Sequence, residues 1–349
     1  MAMRAIATFF MIFWMSACAA LSPSVPPAPV TLQSQIAAKE TIELPLLEGL
    51  PGERQSSLII IPAVLPNGET GRFILDTGAT LSSIFKSTQG RLGVTTESES
   101  PIRVHGMVSA KIQPVATLET LQLGSRNIGP LRVAVIDREE DLQSRKQVND
   151  TDVQSDGIIG MDVLQNYHLY YDPAIGKVWL LPLDIGAPAV PRDWEIVKLV
   201  QNPFLEDGRA LHFFNLGMSY SITPALLDTG SEFNLMNWDT KRFPQLRERR
   251  RSMRREWKIS GAVGSFKPVA KIIADRTRSG DRSWSNNEFV VRDFENLNVL
   301  GIDGNPFVIA GMPMLSTRPM VLDFENDRAY FAPAQDEKTH SGLGEVARP

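Results

Sequence analysis

Short apolar runs rich in Ile, Leu, Val and Phe recur along the chain, broken by Gly, Pro, Asn and Asp. Runs of this kind bounded by turn formers predict strands rather than helices. SLIIIPAVL and GRFILDT flank Asn67-Gly68, a dipeptide suited to a tight hairpin turn. ALHFFNLGMSYSITPALLDT, at 210–229, repeats that hairpin pattern. Helical spacing is confined to 161–166, 312–316 and 239–258. The pattern predicts a mostly β protein. The Pro-rich stretch LPLDIGAPAVPRD contains a linker over 184–193, which separates a first lobe over 39–183 from a second over 194–334.

The runs also recur in the same order in both lobes. The first lobe carries Asp76-Thr77-Gly78, then Ile158-Ile159-Gly160, then YYDPAIGKVWLLP; the second carries Asp228-Thr229-Gly230, then Ile309-Ala310-Gly311, then VLDFENDRAYFAP. From Asp76 to Gly160 is 84 residues and from Asp228 to Gly311 is 83; Gly160 to Asp172 and Gly311 to Asp323 are both 12. HGMVSAKIQPVATL and SGAVGSFKPVAKII correspond between these landmarks. The chain is a duplication.

The ends fall outside this pattern. Residues 1–20, MAMRAIATFFMIFWMSACAA, have a basic start at Arg4, an apolar stretch too short to span a bilayer, and small residues after it, which predicts a secretory signal peptide. Met15-Ser16-Ala17-Cys18 resembles the lipobox of bacterial lipoproteins, with Cys18 as the lipid attachment point; Ala17-Cys18-Ala19 also reads as an ordinary cleavage site. The lipobox reading is preferred because Cys18 is the one Cys in the chain. It implies an exported, periplasmic, membrane-anchored protein, at the outer rather than the inner membrane because Ala19 stands where Asp often retains lipoproteins. Residues 21–38, with four Pro, predict a flexible tether, and 335–349 a disordered tail.

Composition narrows the chemistry. With 349 residues, 43% hydrophobic and 22% charged, the chain suits two packed domains. A net charge of −4 gives no general attraction to nucleic acid. Four His and a single Cys exclude a disulfide framework and a Cys-rich zinc site, and neither G-x-S-x-G nor H-E-x-x-H is present. No metal or cofactor is expected. The segment 241–258 carries nine Lys or Arg against two Glu, and reads either as a solvated helix face or as a surface for anionic lipid headgroups.

One Asp-Thr-Gly is compatible with an ordinary strand-end turn. Two, each ending an apolar run, are different. Carboxylates brought within a few ångströms do not both ionise easily, so one is a base while the other is an acid. A water between them then attacks a carbonyl with general acid–base assistance.

Asp-Thr-Gly after an apolar strand, a glycine-containing flap segment, and two apolar residues with Gly before a short helix resemble the aspartic proteases of the retropepsin-like and pepsin-like group, over about residues 40–333. The resemblance implies two similar acid-protease-type β-barrel lobes with an active-site cleft between them, in a bacterial, duplicated single chain. It implies Asp76 and Asp228 as the catalytic pair. Thr77, Gly78, Ala79 and Thr229, Gly230, Ser231 form the active-site turns, and His105, Gly106, Met107 and Ser260, Gly261, Ala262 the flap tips. His105 either contacts substrate or is an exposed hairpin residue; Thr80 and Ser231 either bond the carboxylates or cap their turns. Pepsin-like disulfides and a flap Tyr are missing, Ala79 is closer to the retroviral pattern, and Glu232 is unusual enough to bear on the proton balance. The expected activity is hydrolysis of protein or peptide substrates by a monomer. The competing reading is a catalytically silent peptide-binding or scaffolding lipoprotein of the same fold.

Overall fold

The hairpin around Asn67-Gly68 forms as the pattern requires. Ile60–Val64 pairs antiparallel with Thr70–Leu75, Val64 opposite Thr70, and Gly68 takes φ +85°, a turn conformation open to glycine. The computed structural model describes residues 30–49, 56–105, 110–137, 154–202, 211–218, 221–241, 247–248, 259–260, 265–266, 270–292, 302 and 304–334. Among these the protein is mostly β, and the residues from Thr31 onward belong to one compact unit.

Each repeat places a short strand between two others in the same way. In the first, Gly157–Ile159 runs parallel to Thr70–Leu75 (Ile159 opposite Leu75) and antiparallel to Ser83–Phe85. In the second, Val308–Ala310 runs parallel to Ser221–Leu227 (Ala310 opposite Leu227) and antiparallel to Asn234–Met236. All three residues of each inserted strand are buried, which is why these runs read as continuously apolar rather than alternating.

Most first-repeat strands form a nine-stranded sheet. In the second repeat six strands close on themselves: the order His212–Met218, Ser221–Leu227, Val308–Ala310, Asn234–Met236, Arg282–Val291, Ala270–Ser279 returns to the first through Gly217 opposite Arg278 and Met218 opposite Thr277. A barrel closed in this way leaves no sheet edge between its first and last strands.

The repeats are joined by a seam of sheet. Tyr167–Asp172 pairs antiparallel with Met320–Asp323: Leu169 opposite Leu322, Tyr170 opposite Val321, Tyr171 opposite Met320. The spacing that carries Gly160 to Gly311 and Asp172 to Asp323 carries Tyr170 to Val321. The strand therefore pairs with its own counterpart, centred on equivalent residues, as a local twofold axis demands. Ile42–Pro45 and Lys177–Pro182 flank one side of the seam, Arg328–Phe331 and Glu195–Gln201 the other. One buried apolar cluster runs through both repeats, from Phe73, Leu75 and Leu180 to Leu227, Leu322 and Phe331.

Three local expectations are corrected. The tether over 21–38 overlaps a helix, Leu32–Ile36, capped reciprocally by Thr31 and Ser34. Leu32 packs among Tyr170, Trp179 and Leu181, and the Gln35 side chain donates to Ala187 O at 3.0 Å and accepts from Ala189 N at 2.8 Å. These partners lie too far along the chain to register in local composition. In the segment 239–258, expected as one helix, the described residues give a helix over Trp238–Lys241 and a strand over Arg247–Glu248, and the others lie outside the described residues. Lys86–Leu92 is a helix that apolar spacing missed; it is fixed by buried Thr88, whose hydroxyl meets Asp156 at 3.2 Å, and by Gly93 at φ +62° beyond its end. The signal segment, Cys18, residues 21–29 of the tether and the tail over 335–349 lie outside the described residues, as does most of the basic run.

Candidate active site

Each Asp-Thr-Gly stands where a buried strand ends. Asp76 follows Thr70–Leu75 and its amide donates to Ile159 O at 3.0 Å; Asp228 follows Ser221–Leu227 and its amide donates to Ala310 O at 3.1 Å. The inserted strand of each repeat thus fixes the backbone from which the carboxylate departs. The turn then closes on itself: Gly78 N donates to Asp76 Oδ1 at 2.8 Å, and Gly230 N to Asp228 Oδ1 at 2.9 Å.

The two threonines tie the turns together. Thr77 Oγ1 donates to Leu227 O at 2.7 Å and accepts from Thr229 N at 3.1 Å. Thr229 Oγ1 donates to Leu75 O at 2.7 Å and accepts from Thr77 N at 3.1 Å. Both side chains are buried, 1% and 0% exposed, so all four bonds are made away from water. The glycines let the turns close. A Cβ on Gly78 would sit 2.6 Å from Asp228 Cγ, and one on Gly230 would overlap the Asp76 carboxyl. Each carboxylate rests against the other repeat's glycine.

Asp76 and Asp228 lie close enough for each to alter the other's titration. Burial raises the pKa of both. Asp228, 7% exposed, is pushed well above the ordinary carboxylate range, by burial first and then by the negative charge of Asp76. For Asp76, partly open to solvent, the amide of Gly78, the interaction with Asp228 and the amide of Ala79 hold back the rise that burial causes. Two buried carboxyls that titrate together do so as a pair and resist both being ionised at once.

Ser82 and Asn234 were not singled out from the sequence. Ser82 Oγ accepts from Gly160 N at 3.0 Å, and Asn234 Oδ1 from Gly311 N at 3.1 Å. Each stands six residues after its Asp, a shared offset that was the available signal. In the first repeat Asp162 Oδ1 accepts from Ser82 Oγ at 2.7 Å, and burial raises its pKa. In the second repeat Pro313 occupies the corresponding place, and the Asn234 amide donates to Glu288 O at 3.1 Å.

Ser231 caps its turn: its hydroxyl donates to Phe233 O at 2.8 Å. Thr80 is exposed. His105 ends the strand Thr96–His105 and pairs with Ala110; Gly106 and Met107 lie outside the described residues. Ser260 pairs with Ser265 in a small hairpin, and Gly261 and Ala262 lie outside the described residues. Among the described residues no three His, Cys, Asp or Glu gather as a metal site.

Residues 61–163 match the family model described as Aspartyl protease. The match spans the Asp76-Thr77-Gly78 turn and the inserted strand Gly157–Ile159, so it covers the parts that build the first half of the site. It supports kinship with aspartic proteases. It does not extend to the second repeat, where the same parts recur by internal symmetry. No curated protein matches the chain.

Proposed function

We propose that this protein is an aspartic endopeptidase that hydrolyses peptide bonds with a water activated between Asp76 and Asp228. What supports the reading is the approach of each carboxyl to the other repeat's turn, Asp228 to Gly78 and Asp76 to Gly230, beside the Thr77–Thr229 exchange. Asp76, ionised, takes a proton from the water as its oxygen attacks the scissile carbonyl carbon. Asp228, protonated, donates to the carbonyl oxygen. The tetrahedral intermediate then collapses with expulsion of the amine, which takes up a proton. General acid–base assistance of this kind contributes on the order of 10² to 10⁴ in rate. The hairpin ending at His105 covers the cleft as one flap, the segment around Ser260 as the other, and an extended peptide lies between them as an added strand.

Incubating the purified protein with a diverse peptide library tests this. Cleavage by wild type, lost in folded Asp76→Asn and Asp228→Asn variants, supports the enzyme. Absence of cleavage by wild type over a broad pH range, or its survival in both variants, refutes it. The same proposal places the enzyme in the periplasm as a monomer, anchored in a bacterial membrane through lipidated Cys18. Intact-mass analysis of membrane-extracted protein checks this: an acylated Cys18 at the mature N-terminus is expected, and cleavage after Ala19 contradicts it.

A further inference from the structure

Gly160 and Gly311 press against the two Asp-Thr-Gly turns. A Cβ on Gly160 would sit 2.8 Å from Ala79 O, and one on Gly311 would sit 2.6 Å from Ser231 O. The residue before each glycine takes the amide of that repeat's Asp: Ile159 O from Asp76, Ala310 O from Asp228. The residue after each bonds the turn as well, Met161 N to Ala79 O at 2.8 Å and Met312 N to Ser231 O at 2.9 Å. A shift of either glycine therefore moves the base of one carboxyl.

The repeats hold these glycines by different chemistry. In the second, the Asn234 side chain accepts from Gly311 N and donates its amide to Glu288 O. The amide group is planar, so the one bond orients the other, and the support is neutral. In the first, Ser82 Oγ accepts from Gly160 N at 3.0 Å. A hydroxyl is a rotor, and its lone pairs point wherever its proton does not. Asp162 sets that proton: its Oδ1 accepts from Ser82 Oγ at 2.7 Å and from Ser82 N at 3.0 Å. Ser82 is 1% exposed, so these bonds are made away from bulk water. A hydroxyl that donates to a carboxylate is also a stronger acceptor for the glycine amide. Pro313, at the position corresponding to Asp162, offers no side-chain acceptor. Burial raises the Asp162 pKa, and the bonds from Ser82 offset part of that penalty.

We propose that Asp162 is a positioning residue for the reaction at Asp76 and Asp228. Through Ser82 it fixes the acceptor of the Gly160 amide, and so the place of Ile159 O, from which the Asp76 backbone hangs. The dependence is confined to Asp76, the member that takes the proton from water. The role rests on the dyad reading given above, and it extends that reading to a carboxyl that touches neither substrate nor water.

Steady-state peptide cleavage by Ser82 and Asp162 variants tests it, at a temperature where melting curves show each to be folded. Asp162→Ala is expected to lower kcat about tenfold, part of the ~10² that a full ångström of misplacement costs, with KM within about twofold of wild type. Asp162→Asn keeps an acceptor oxygen and should recover most of the loss. Because Asp162 acts through Ser82, the double variant Ser82→Ala, Asp162→Ala should be no slower than Ser82→Ala alone. A second readout needs no turnover: the Asp76 amide proton, bonded to Ile159 O, should shift in the NMR spectrum of Asp162→Asn and further in Asp162→Ala, while that of Asp228 stays in place. If wild type cleaves nothing, the dyad reading fails and the amide shifts still decide the positioning role. An unmoved Asp76 amide overturns the proposal. So does an unchanged kcat in Asp162→Ala, or additive losses in the double variant, since a residue that only supports the fold would lower the melting point and leave the folded enzyme's kcat alone.

Discussion

Thr77 and Thr229 hold each other: each hydroxyl accepts the other's backbone amide at 3.1 Å and donates to the carbonyl before the other's Asp at 2.7 Å. The exchange fixes where the two carboxylates stand. Thr77→Val deletes one hydroxyl and leaves Leu227 O and Thr229 N without partners. A cost of about 2–4 kcal/mol is expected in urea unfolding, and Thr77→Ser should recover most of it. A valine variant as stable as wild type would contradict the described bonding.

Gly78→Ala tests the close approach from the other direction. Its methyl carbon would sit 2.6 Å from Asp228 Cγ, so the carboxylate or the turn has to move. A displacement of about 1 Å in a catalytic group costs on the order of 10² in rate. Peptide cleavage should fall by that order while the melting transition survives; unchanged cleavage would mean that the turns are farther apart than described.

The raised carboxyls give stability a definite pH dependence. In the unfolded chain an Asp titrates near about 3.9. A carboxyl whose folded pKa is higher adds stability that is fully present below the unfolded value and is lost as pH rises through the folded one. For Asp228, stability therefore falls as pH climbs from the unfolded value towards and through its raised titration, with a slope of up to about 1.4 kcal/mol per pH unit for one proton. Asp228→Asn should flatten this limb and be more stable than wild type at neutral pH. Unfolding midpoints measured across pH check it, and parallel profiles would contradict it.

Across the seam, His168 Nδ1 lies 3.1 Å from Asp323 Oδ1, with side chains 0% and 1% exposed. Burial alone would raise the Asp323 pKa; the close approach of His168 and the bonds from Asn326 outweigh it and hold it below the ordinary value. Such a group contributes stability above its unfolded pKa, lost as pH falls through the folded one. Removing one partner of a buried pair costs about 3–5 kcal/mol. His168→Ala should lose stability of that order at neutral pH and less at acid pH, where Asp323 is protonated. Equal losses at both would argue that the pair is not electrostatic.

How much of this was legible in the sequence depends on the range of the contacts. The recurring placement of an inserted strand behind each Asp-Thr-Gly was, because Asp76 and Asp228, and Gly160 and Gly311, keep their spacing and their residue types. Ser82 and Asn234 keep the spacing but not the type; the geometry preserves acceptance of a glycine amide, which a serine and an asparagine perform equally well. The Leu32–Ile36 helix was hidden because its stability comes from Tyr170, Trp179 and the 187–189 backbone. The helix expected over 239–258 fails at Arg247 and Glu248, which pair in a strand with Ile273 and Ile272, residues too far along the chain for local composition to register. His168 and Asp323 meet only because the seam strand pairs with its own copy, which no local pattern announces.

The most direct test of the central claim, that the two repeats present one shared proton, is a carbon NMR titration of the Asp76 and Asp228 carboxyls. Asp228 should titrate well above the ordinary carboxylate range and move down when Asp76→Asn removes the facing charge. Two carboxyls titrating independently in the ordinary range, with Asp228 indifferent to that substitution, would contradict the account.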